Sequence, residues 1–367
     1  MRRVMQFVPT LMPGDATGMH ALMIDKSLRQ CGIETKVYVE EVKPNQIGNA
    51  TRFTSYAKEN RPDDILIYHL AAPSAIADFL SSRNETLVLV YHNITPAHFF
   101  EKWDQVAATG QIWARAQLSR LAPRTTLALP VSKFNQHELI ELGYGKSEIV
   151  PILLDQTAFA AGSDTEVEAM LQKNRDSGLE NFLFVGRLVP NKAQHNLIAA
   201  LSAYNLIYKR HAVLHLVGRP FSPEYLKMLR EVAHQLKVAD SINFALGVSS
   251  DQLASYYRGS DALVSLSEHE GFCVPLLEAM HHGLPIVAYD SSAIKETLGD
   301  SGLVIGSNDP VTTAVAMNEI ITNSTLRDLL KNEMAKRLDQ LGLEKSRAKL
   351  LSALSELEPS LTQGVVH

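Results

Sequence analysis

The chain has 367 residues, of which 46% are hydrophobic and 20% charged, and its 35 basic and 40 acidic side chains give a net charge of −5. This composition excludes a disordered, collagen-like or coiled-coil chain, and the length predicts two domains. Neither half of the chain has the basic excess of a nucleic-acid-binding protein, so no nucleic-acid partner is expected.

The two cysteines, Cys31 and Cys273, are too far apart in the sequence to suggest a metal-ligand pair or a disulfide framework. The N-terminus lacks the uninterrupted apolar segment of a signal peptide, and no run approaches the roughly 18 apolar residues of a membrane span. We therefore expect a cytoplasmic protein in a reducing compartment.

Short apolar strands alternate with helical patterns along the first part of the chain, which is typical of a parallel sheet with crossover helices. The strands at 64–68 and 87–91 are almost entirely apolar, as expected of strands buried on both faces. The pattern predicts strands at 4–8, 35–39, 64–68, 87–91 and 127–131, and helices at 21–31 and 135–142.

Residues 160–180 are rich in small and charged types and contain no strand-like run, so we expect the domain junction there. The alternation then resumes, and it predicts a second α/β domain. Its predicted strands are at 181–185, 213–217, 242–245, 262–266, 285–289 and 303–305, with helices at 195–208, 223–236, 249–258, 275–282, 311–338 and 344–357.

The predicted architecture is therefore α/β, with two Rossmann-like parallel-sheet domains facing a central cleft. The N-terminal domain is expected at 1–165 and the C-terminal domain at 178–340, followed by a helical segment at 341–367. In open parallel sheets ligands bind beyond the carboxyl ends of the strands, so functional residues should follow strands.

The strongest motif lies between a predicted strand and the helix after it. The stretch from Ser265 to Met280 contains Glu270 and Glu278, separated by seven residues, and its helix opens at Pro275. A helix N-terminus presents free backbone N–H groups that bind anions. A carboxylate in such a loop can accept hydrogen bonds from sugar hydroxyls, and one a turn into the helix can bind a ribose diol. By spacing alone, two such glutamates are also common on a solvated helix.

With its flanking residues, this segment resembles the E-x7-E signature of glycosyltransferase family 4, whose members use nucleotide sugars and have the GT-B fold. The stretch 281–288 fits the family's continuation. The resemblance implies that Glu270 holds hydroxyls of the donor sugar at the catalytic centre and that Glu278 binds the ribose. Around the helix start it implies five further donor-binding residues: Gly271, Phe272, Cys273, Val274 and Leu276.

A second motif, F-V-G-R-L-V-P-N-K, ends at Lys192 and resembles the family's G-R-L…K-G segment. The resemblance assigns Arg187 and Lys192 to the donor diphosphate and to catalysis. Fixed cations stabilise the charge that develops on a departing diphosphate without transferring a proton. Ala193 stands where the family usually has glycine. The alternative is a capped loop with two solvated cations.

Three further loops match the family more loosely. The family's glycine-rich loop near the donor phosphates corresponds to residues 9–20, where the usual glycine pair is reduced to Thr17 and Gly18. In the family, the loops that contain Gly218 and Val248 enclose the nucleotide base. The glycines of the first loop could also serve turns alone.

His92 follows the strand at 87–91 and matches a histidine that the family places at the sugar end of the donor, where it could take part in catalysis. A structural histidine at a strand end is the alternative. His69, Ser132 and Lys133 are weaker candidates on the acceptor side. For Ser132 the competing interpretation is an N-cap of the helix that follows.

No D-x-D sequence occurs in the chain. The family needs no such metal-holding aspartates, and Arg187 and Lys192 can neutralise the diphosphate. We therefore expect no metal and no cofactor apart from the nucleotide-sugar co-substrate.

The resemblance also implies donor binding in the C-terminal domain, acceptor binding in the N-terminal domain, a last helix that crosses back to the N-terminal domain, and transfer with retention at the anomeric carbon. The expected partners are a GDP-mannose-like or UDP-sugar donor and a saccharide or lipid-linked glycan acceptor. Two alternatives stay open: a non-catalytic nucleotide-sugar-binding subunit and a GT-B-like sugar-nucleotide epimerase.

Aromatic residues at 97–103 look exposed in the sequence, and three arginines follow them: Arg115, Arg120 and Arg124. This pattern suggests a peripheral contact with the inner face of the membrane or with a lipid-linked acceptor. A packed amphipathic helix with ordinary surface arginines is the alternative.

Overall fold

The computed structural model describes residues 2–12, 14–44, 46, 48–160 and 162–359. These residues form two compact units. The N-terminal unit contains the described residues up to 101, residues 105–155 and the described residues from 341 onward. The C-terminal unit contains residues 102–104 and 156–340.

The N-terminal unit begins with six parallel strands: β1 (Val4–Val8), β2 (Thr35–Val39), β3 (Thr51–Arg52), β4 (Ile65–Leu70), β5 (Thr86–Tyr91) and β6 (Leu127–Pro130). Four helices accompany them: α1 (Ala16–Gln30), α2 (Ala75–Ser81), α3 (Gln105–Leu121) and α4 (Lys133–Glu141). The strand order is β3-β2-β1-β4-β5-β6, so the order reverses between β1 and β4.

Both faces of this sheet are apolar, which explains why the strands appear in the sequence as continuous apolar runs. On β4, Leu66 and Tyr68 face one hydrophobic cluster, whereas Ile65 and Ile67 face another on the opposite side. Successive side chains of a strand point to opposite faces, so a strand covered on both sides is apolar at nearly every position.

The second unit repeats this plan with β7 (Glu180–Val185), β8 (Ala212–Val217), β9 (Ile242–Ala245), β10 (Ala262–Ser265), β11 (Ile286–Tyr289) and β12 (Leu303–Ile305). Its helices are α5 (Thr165–Asp176), α6 (Gln194–Tyr208), α7 (Pro223–Gln235), α8 (Ser250–Gly259), α9 (Val274–His281), α10 (Ile294–Leu298), α11 (Pro310–Thr322) and α12 (Ser324–Gln340). The order β12-β11-β10-β7-β8-β9 reverses between β7 and β10. The prediction of two Rossmann-like parallel-sheet domains is confirmed.

The last helix, α13 (Leu343–Ser355), belongs to the N-terminal unit. Its Leu350 and Leu354 are fully buried and join the cluster that contains Val4 and Ile65. This helix therefore covers one face of the N-terminal sheet. No helix in the described ranges is long and apolar enough to cross a membrane.

Two helical regions differ from the sequence expectation. The two units divide between Asp155 and Gln156, and the stretch expected to be the junction instead contains α5 of the C-terminal unit. The single helix expected at 311–338 is two helices, because the Asn323 side chain accepts a hydrogen bond from the backbone N–H of Leu326 at 2.9 Å and so caps the start of α12.

Candidate functional site

The carboxyl ends of β7 and β10 lie where the strand order of the C-terminal sheet reverses, which is where open parallel sheets bind ligands. The loops that follow these strands are hydrogen-bonded to each other. The backbone N–H of Glu268 donates to the carbonyl of Asn191 at 2.7 Å, and the Asn191 amide donates to the carbonyl of His269 at 3.0 Å. The two strongest sequence motifs are therefore brought together.

Lys192 and Glu270 form an ion pair at this junction, and both side chains are largely buried. Burial opposes the charged form of Lys192, but the carboxylate of Glu270 outweighs it, so the pKa of Lys192 is raised and the ammonium stays protonated. The backbone N–H of Glu270 donates to Ser292 Oγ at 2.7 Å, which fixes the loop that carries the carboxylate.

Arg187 supplies a second cation beside this pair. Its guanidinium lies over the ring of Phe221, 5.8 Å from the ring centre, and the side chain is exposed. The positive charge of Arg187 acts weakly against protonation of Lys192, which places the two cations within interaction range. No carboxylate in the described part of the chain pairs with Arg187, so its charge is available to an anion.

Helix α9 begins in the same loop at a residue with left-handed backbone geometry. Cys273 has φ of 72°, which is strained for a non-glycine residue, and the helix opens directly after it at Val274. Among the described residues, the backbone N–H groups of Phe272 and Val274 have no hydrogen-bond acceptor. Burial raises the pKa of the Cys273 thiol, so this residue is neutral. The loop thus adds backbone donors beside the two cations.

Glu278 lies inside α9, one turn further on. The hydroxyl of Tyr257 donates to Glu278 Oε2 at 2.5 Å, and the Tyr257 ring stacks on His282 with 5.5 Å between ring centres. Burial raises the pKa of Glu278, while the hydrogen bond from Tyr257 opposes that rise. Tyr257 therefore fixes one oxygen of the carboxylate. Tyr257 is not among the residues predicted from the sequence, because it lies on another helix, α8, 21 positions before Glu278.

The loops after β8 and β9 complete the same edge of the sheet. Gly218 follows β8 with φ of 155°, and a Cβ atom placed on it would lie 1.9 Å from the carbonyl oxygen of Gly186. Only glycine allows this close approach of two backbones. Val248 follows β9 and is packed against the C-terminal core, and Leu276 is fully buried there.

Gly218→Ala should destabilise the C-terminal unit by about 1–3 kcal/mol, since the added methyl group must displace the backbone at Gly186. The free energy of unfolding in urea measures this effect. Gly306→Ala is a suitable control, because a Cβ on Gly306 would meet no atom within 4 Å. Equal stability of the two variants would contradict the proposed clash.

In the N-terminal unit, two of the predicted histidines are in contact. His69 Nδ1 lies 3.2 Å from His92 Nε2, and His69 Nε2 lies 3.0 Å from Gln6 Oε1. His92 follows β5, whereas His69 lies within β4, one residue before Leu70 ends the strand. Burial lowers the pKa of His92 to about 3 and that of His69 well below its usual value. Both imidazoles are therefore neutral.

His20 joins this pair, although sequence reasoning did not identify it. It lies in α1 and is fully buried, with its ring centre 5.2 Å from that of His92 and 5.8 Å from that of His69. The position of His20 in the first helix after β1 could have identified it from the sequence. The helix after β1 starts at the reversal point of the N-terminal sheet, beside the carboxyl end of β4.

The sequence predicted that Gly18 lies in a loop. The structure instead places it in the first turn of α1. The helix starts before Gly18 because the Asp15 carboxylate caps it, accepting a hydrogen bond from the backbone N–H of Thr17 at 3.1 Å. A Cβ on Gly18 would lie 3.2 Å from the carbonyl oxygen of Thr10, so the helix start packs closely against the preceding loop.

The loop after β5 and the start of α4 share one polar network. The Asn93 amide donates to Asn135 Oδ1 at 2.8 Å, and this network holds the backbone that follows His92. Ser132 is buried and accepts a hydrogen bond from the Asn135 backbone N–H at 3.2 Å, so it acts as the N-cap of α4. Lys133, the next residue, is exposed.

The aromatic segment at 97–103 is less exposed than its sequence suggested. Phe100 is buried, and Trp103, which belongs to the C-terminal unit, makes an edge contact with Tyr225 at 5.2 Å between ring centres. These two side chains therefore do not form the exposed apolar surface that a membrane contact would need.

The three arginines that follow are also engaged within the N-terminal unit. Arg115 pairs with Glu138 and Arg120 with Asp78, at 3.1 and 2.6 Å. Arg124 donates to two backbone carbonyls. Carboxylates therefore balance the charges of Arg115 and Arg120.

Most of the C-terminal unit is similar to a known protein family. Residues 167–337 match the family described as glycosyl transferases group 1. This range contains Arg187, Lys192, Glu270 and Glu278, so every strong motif of the sequence analysis lies within the match.

A curated relative extends the comparison. The GDP-mannose-dependent alpha-(1-6)-phosphatidylinositol monomannoside mannosyltransferase of Mycobacterium tuberculosis is 29% identical over 218 residues, which are 55% of this chain and 55% of the relative. The chain spans about half the length of the curated relatives it matches.

Solved structures resemble the whole chain. Sucrose-phosphate synthase from Thermosynechococcus elongatus has a TM-score of 0.77 at 15% identity, with 98% of this chain and 100% of that one covered. Anabaena HepE in complex with UDP-glucose has a TM-score of 0.74 at 17% identity, with 96% and 99% covered. These likenesses confirm the predicted GT-B fold.

Proposed function

We propose that the protein is a retaining glycosyltransferase, since residues 167–337 match the family described as glycosyl transferases group 1. It moves a sugar from a nucleotide-sugar donor to a saccharide or lipid-linked glycan acceptor. The observation that carries the proposal is the buried Lys192–Glu270 ion pair, which lies beside the free charge of Arg187 and the start of α9.

Each of these groups has a role in the transfer. Arg187 and Lys192 neutralise the diphosphate as it departs, and the N–H groups at the start of α9 bind its oxygens. Glu270 already balances Lys192, so its carboxylate holds donor hydroxyls rather than attacking the anomeric carbon. The leaving phosphate helps to deprotonate the acceptor on the same face of the sugar, which gives retention. Glu278, fixed by Tyr257, binds the ribose.

His92 contributes from the N-terminal unit as a neutral imidazole. Its Nε2 faces His69, so Nδ1 is the atom that binds a hydroxyl of the donor sugar. Since burial lowers the pKa of His92 to about 3, this interaction does not change with pH near neutrality.

The donor is a nucleotide sugar, with GDP-mannose as the first choice. The mannosyltransferase relative, which uses GDP-mannose, supports this choice, and the HepE complex with UDP-glucose supports a UDP-sugar as the second. A thermal-shift comparison of GDP, UDP and their sugars identifies the preferred base.

The function is tested by measuring nucleoside diphosphate release from the preferred donor with and without a saccharide acceptor. We expect release that depends strongly on acceptor and yields an elongated glycan with retained anomeric configuration. Donor binding without release would indicate the non-catalytic subunit. Acceptor-independent conversion of the donor sugar would indicate the epimerase.

Glu278→Gln and Glu270→Gln should have different effects. Glu278→Gln should weaken binding of the bare nucleoside diphosphate, because it loses a hydrogen bond to the ribose of about 1.5–3 kcal/mol. Glu270→Gln should leave that binding nearly intact and lower turnover. Calorimetric titration and initial rates separate the two, and equal losses of nucleotide affinity in both variants would rule out this division of roles.

Neither magnesium nor manganese should raise the activity of protein freed of metals. The reason is that Arg187 and Lys192 already supply the positive charge that such ions provide in metal-dependent enzymes. Initial rates with and without each salt, at matched ionic strength, measure this. Strong activation by either ion would show that the two cations are insufficient.

A further inference from the structure

Three imidazoles meet at the reversal point of the N-terminal sheet. His20 comes from α1, His69 from β4 and His92 from the end of β5, and one ring nitrogen of each lies within 4.8 Å of the others. His20 and His69 are fully buried, while His92 is half-buried. Three rigid elements thus aim nitrogen atoms at one point.

His20 has no hydrogen-bond partner for either ring nitrogen among the described residues. A buried polar group without a partner costs about 1–3 kcal/mol, so native proteins rarely keep one. His20 has two such atoms on one fully buried ring. This unmet bonding capacity is the second indication, independent of the clustering itself, that a ligand belongs here.

The hydrogen bonds around His69 indicate where its lone pair points. Gln6 Oε1 can only accept, so His69 Nε2 carries the proton and donates to it at 3.0 Å. His69 Nδ1 is then unprotonated and faces His92 Nε2 at 3.2 Å. In metal-bound histidines, another protein group usually accepts a hydrogen bond from one ring nitrogen, and the other nitrogen binds the metal.

The spacing also suits a tetrahedral metal. Two nitrogen ligands at about 2.0–2.1 Å from zinc, with a tetrahedral angle between them, lie roughly 3.3–3.4 Å apart. The 3.2 Å between His69 Nδ1 and His92 Nε2 is close to this value. The His20 nitrogen lies within 4.8 Å of both, so the His20 side chain has to move closer to complete the set.

We propose that His20, His69 and His92 form a binding site for one divalent transition-metal ion of the zinc class, with a fourth position left for water or another oxygen ligand. An all-imidazole set suits zinc, copper, iron or nickel and does not suit magnesium or calcium, which prefer oxygen. This departs from the expectation of a metal-free protein. The site shares His92 with the proposed sugar-binding role, but metal binding can be measured without glycosyl transfer.

Neutral imidazoles make the site ready for a cation. Burial lowers the pKa of all three histidines, with the neighbouring imidazoles adding to the effect at His20 and His69, so no proton has to be displaced near neutral pH. In the metal-free state, His92 Nε2 donates its proton to His69, so His92 Nδ1 is an acceptor. A metal on Nε2 moves the proton to Nδ1, which becomes a donor.

The site is tested by adding Co²⁺ to the chelator-treated full-length protein. We expect one equivalent to produce the visible absorption bands of tetrahedral cobalt, and Zn²⁺ to abolish them by displacement. Added ZnCl₂ should also raise the Tm of the wild-type protein. Absence of the bands together with an unchanged Tm would overturn the proposal without relying on any variant.

The location is tested with His20→Ala, His69→Ala and a matched control. Each variant should weaken Co²⁺ binding by at least about a hundredfold, since losing only a residue that supports a ligand costs 10–100-fold. Gln6→Leu should weaken Co²⁺ binding by about 10–100-fold, since Gln6 only supports the ligand His69. His137→Ala, on the exposed side of α4, should bind normally. Normal binding by His20→Ala and His69→Ala would place the metal elsewhere.

Discussion

Lys192→Ala should lower kcat/KM by about 10²–10³-fold and weaken binding of the nucleoside diphosphate. It removes one preorganised positive charge from the place where the leaving diphosphate accumulates charge, a loss of about 2.7–4 kcal/mol of transition-state stabilisation. Arg187→Ala should act in the same direction. Initial rates and calorimetric titration with the bare nucleoside diphosphate measure the two effects.

A stability effect accompanies this substitution and has to be separated from the loss of charge. Removing Lys192 leaves the carboxylate of Glu270 buried without its partner, which is destabilising. The double variant Lys192→Ala/Glu270→Gln should recover stability but not turnover. Arg210→Ala is the matched control, since Arg210 pairs with Glu180 at the opposite end of β7. Wild-type rates in both Lys192→Ala and Arg187→Ala would refute the diphosphate assignment.

Acid should unfold the N-terminal unit well above the pH at which carboxylates protonate. His20, His69 and His92 are neutral in the folded state because burial lowers their pKa, to about 3 for His92. In the unfolded chain they titrate near 6.5. Below that pH the unfolded state binds more protons, so stability is complete above 6.5 and falls as the pH decreases. The slope is about 1.4 kcal/mol per pH unit for each histidine, or roughly 4 for the three.

The measurement is urea unfolding at pH 7.5 and pH 5.5 in the presence of a chelator. The two tryptophans of the chain allow each unit to be followed separately, because Trp113 lies in α3 and Trp103 belongs to the C-terminal unit. Trp103→Phe leaves Trp113 as the reporter of the N-terminal unit. His20→Leu should reduce the pH slope by about one third. An unfolding free energy that stays constant between the two pH values would show that the cluster does not titrate on unfolding.

The strands and both main motifs could be predicted because their signals are local. A run such as β4 is apolar at almost every position, with His69 as the exception, since both faces of the sheet are covered. The residues around Glu270 and Lys192 carry a family pattern. Helix α5 gave no such signal: it is rich in charged residues, and only Val167 and Leu171 are buried. Asn323 looked like an ordinary polar position of one long helix until its capping hydrogen bond was seen.

Contacts between different helices and strands could not be predicted from the sequence. Tyr257 donates a hydrogen bond to Glu278 from another helix. His20 becomes a candidate ligand only because two strands bring His69 and His92 beside it. The N-cap role of Ser132, in contrast, could be proposed from the sequence, because it depends only on the residues next to it in the chain. A single sequence predicts where strands end, but it does not say which strand ends share an edge or which side chains there lack partners.

The late return of α13 to the N-terminal sheet sets the order in which the units can mature on the ribosome. Residues 156–340 are contiguous, so they can condense as soon as they emerge, whereas the cluster around Val4 and Ile65 stays open until Leu350 and Leu354 have been synthesised. The unit translated first is therefore completed last. Until then its uncovered apolar face is open to aggregation and to chaperone binding.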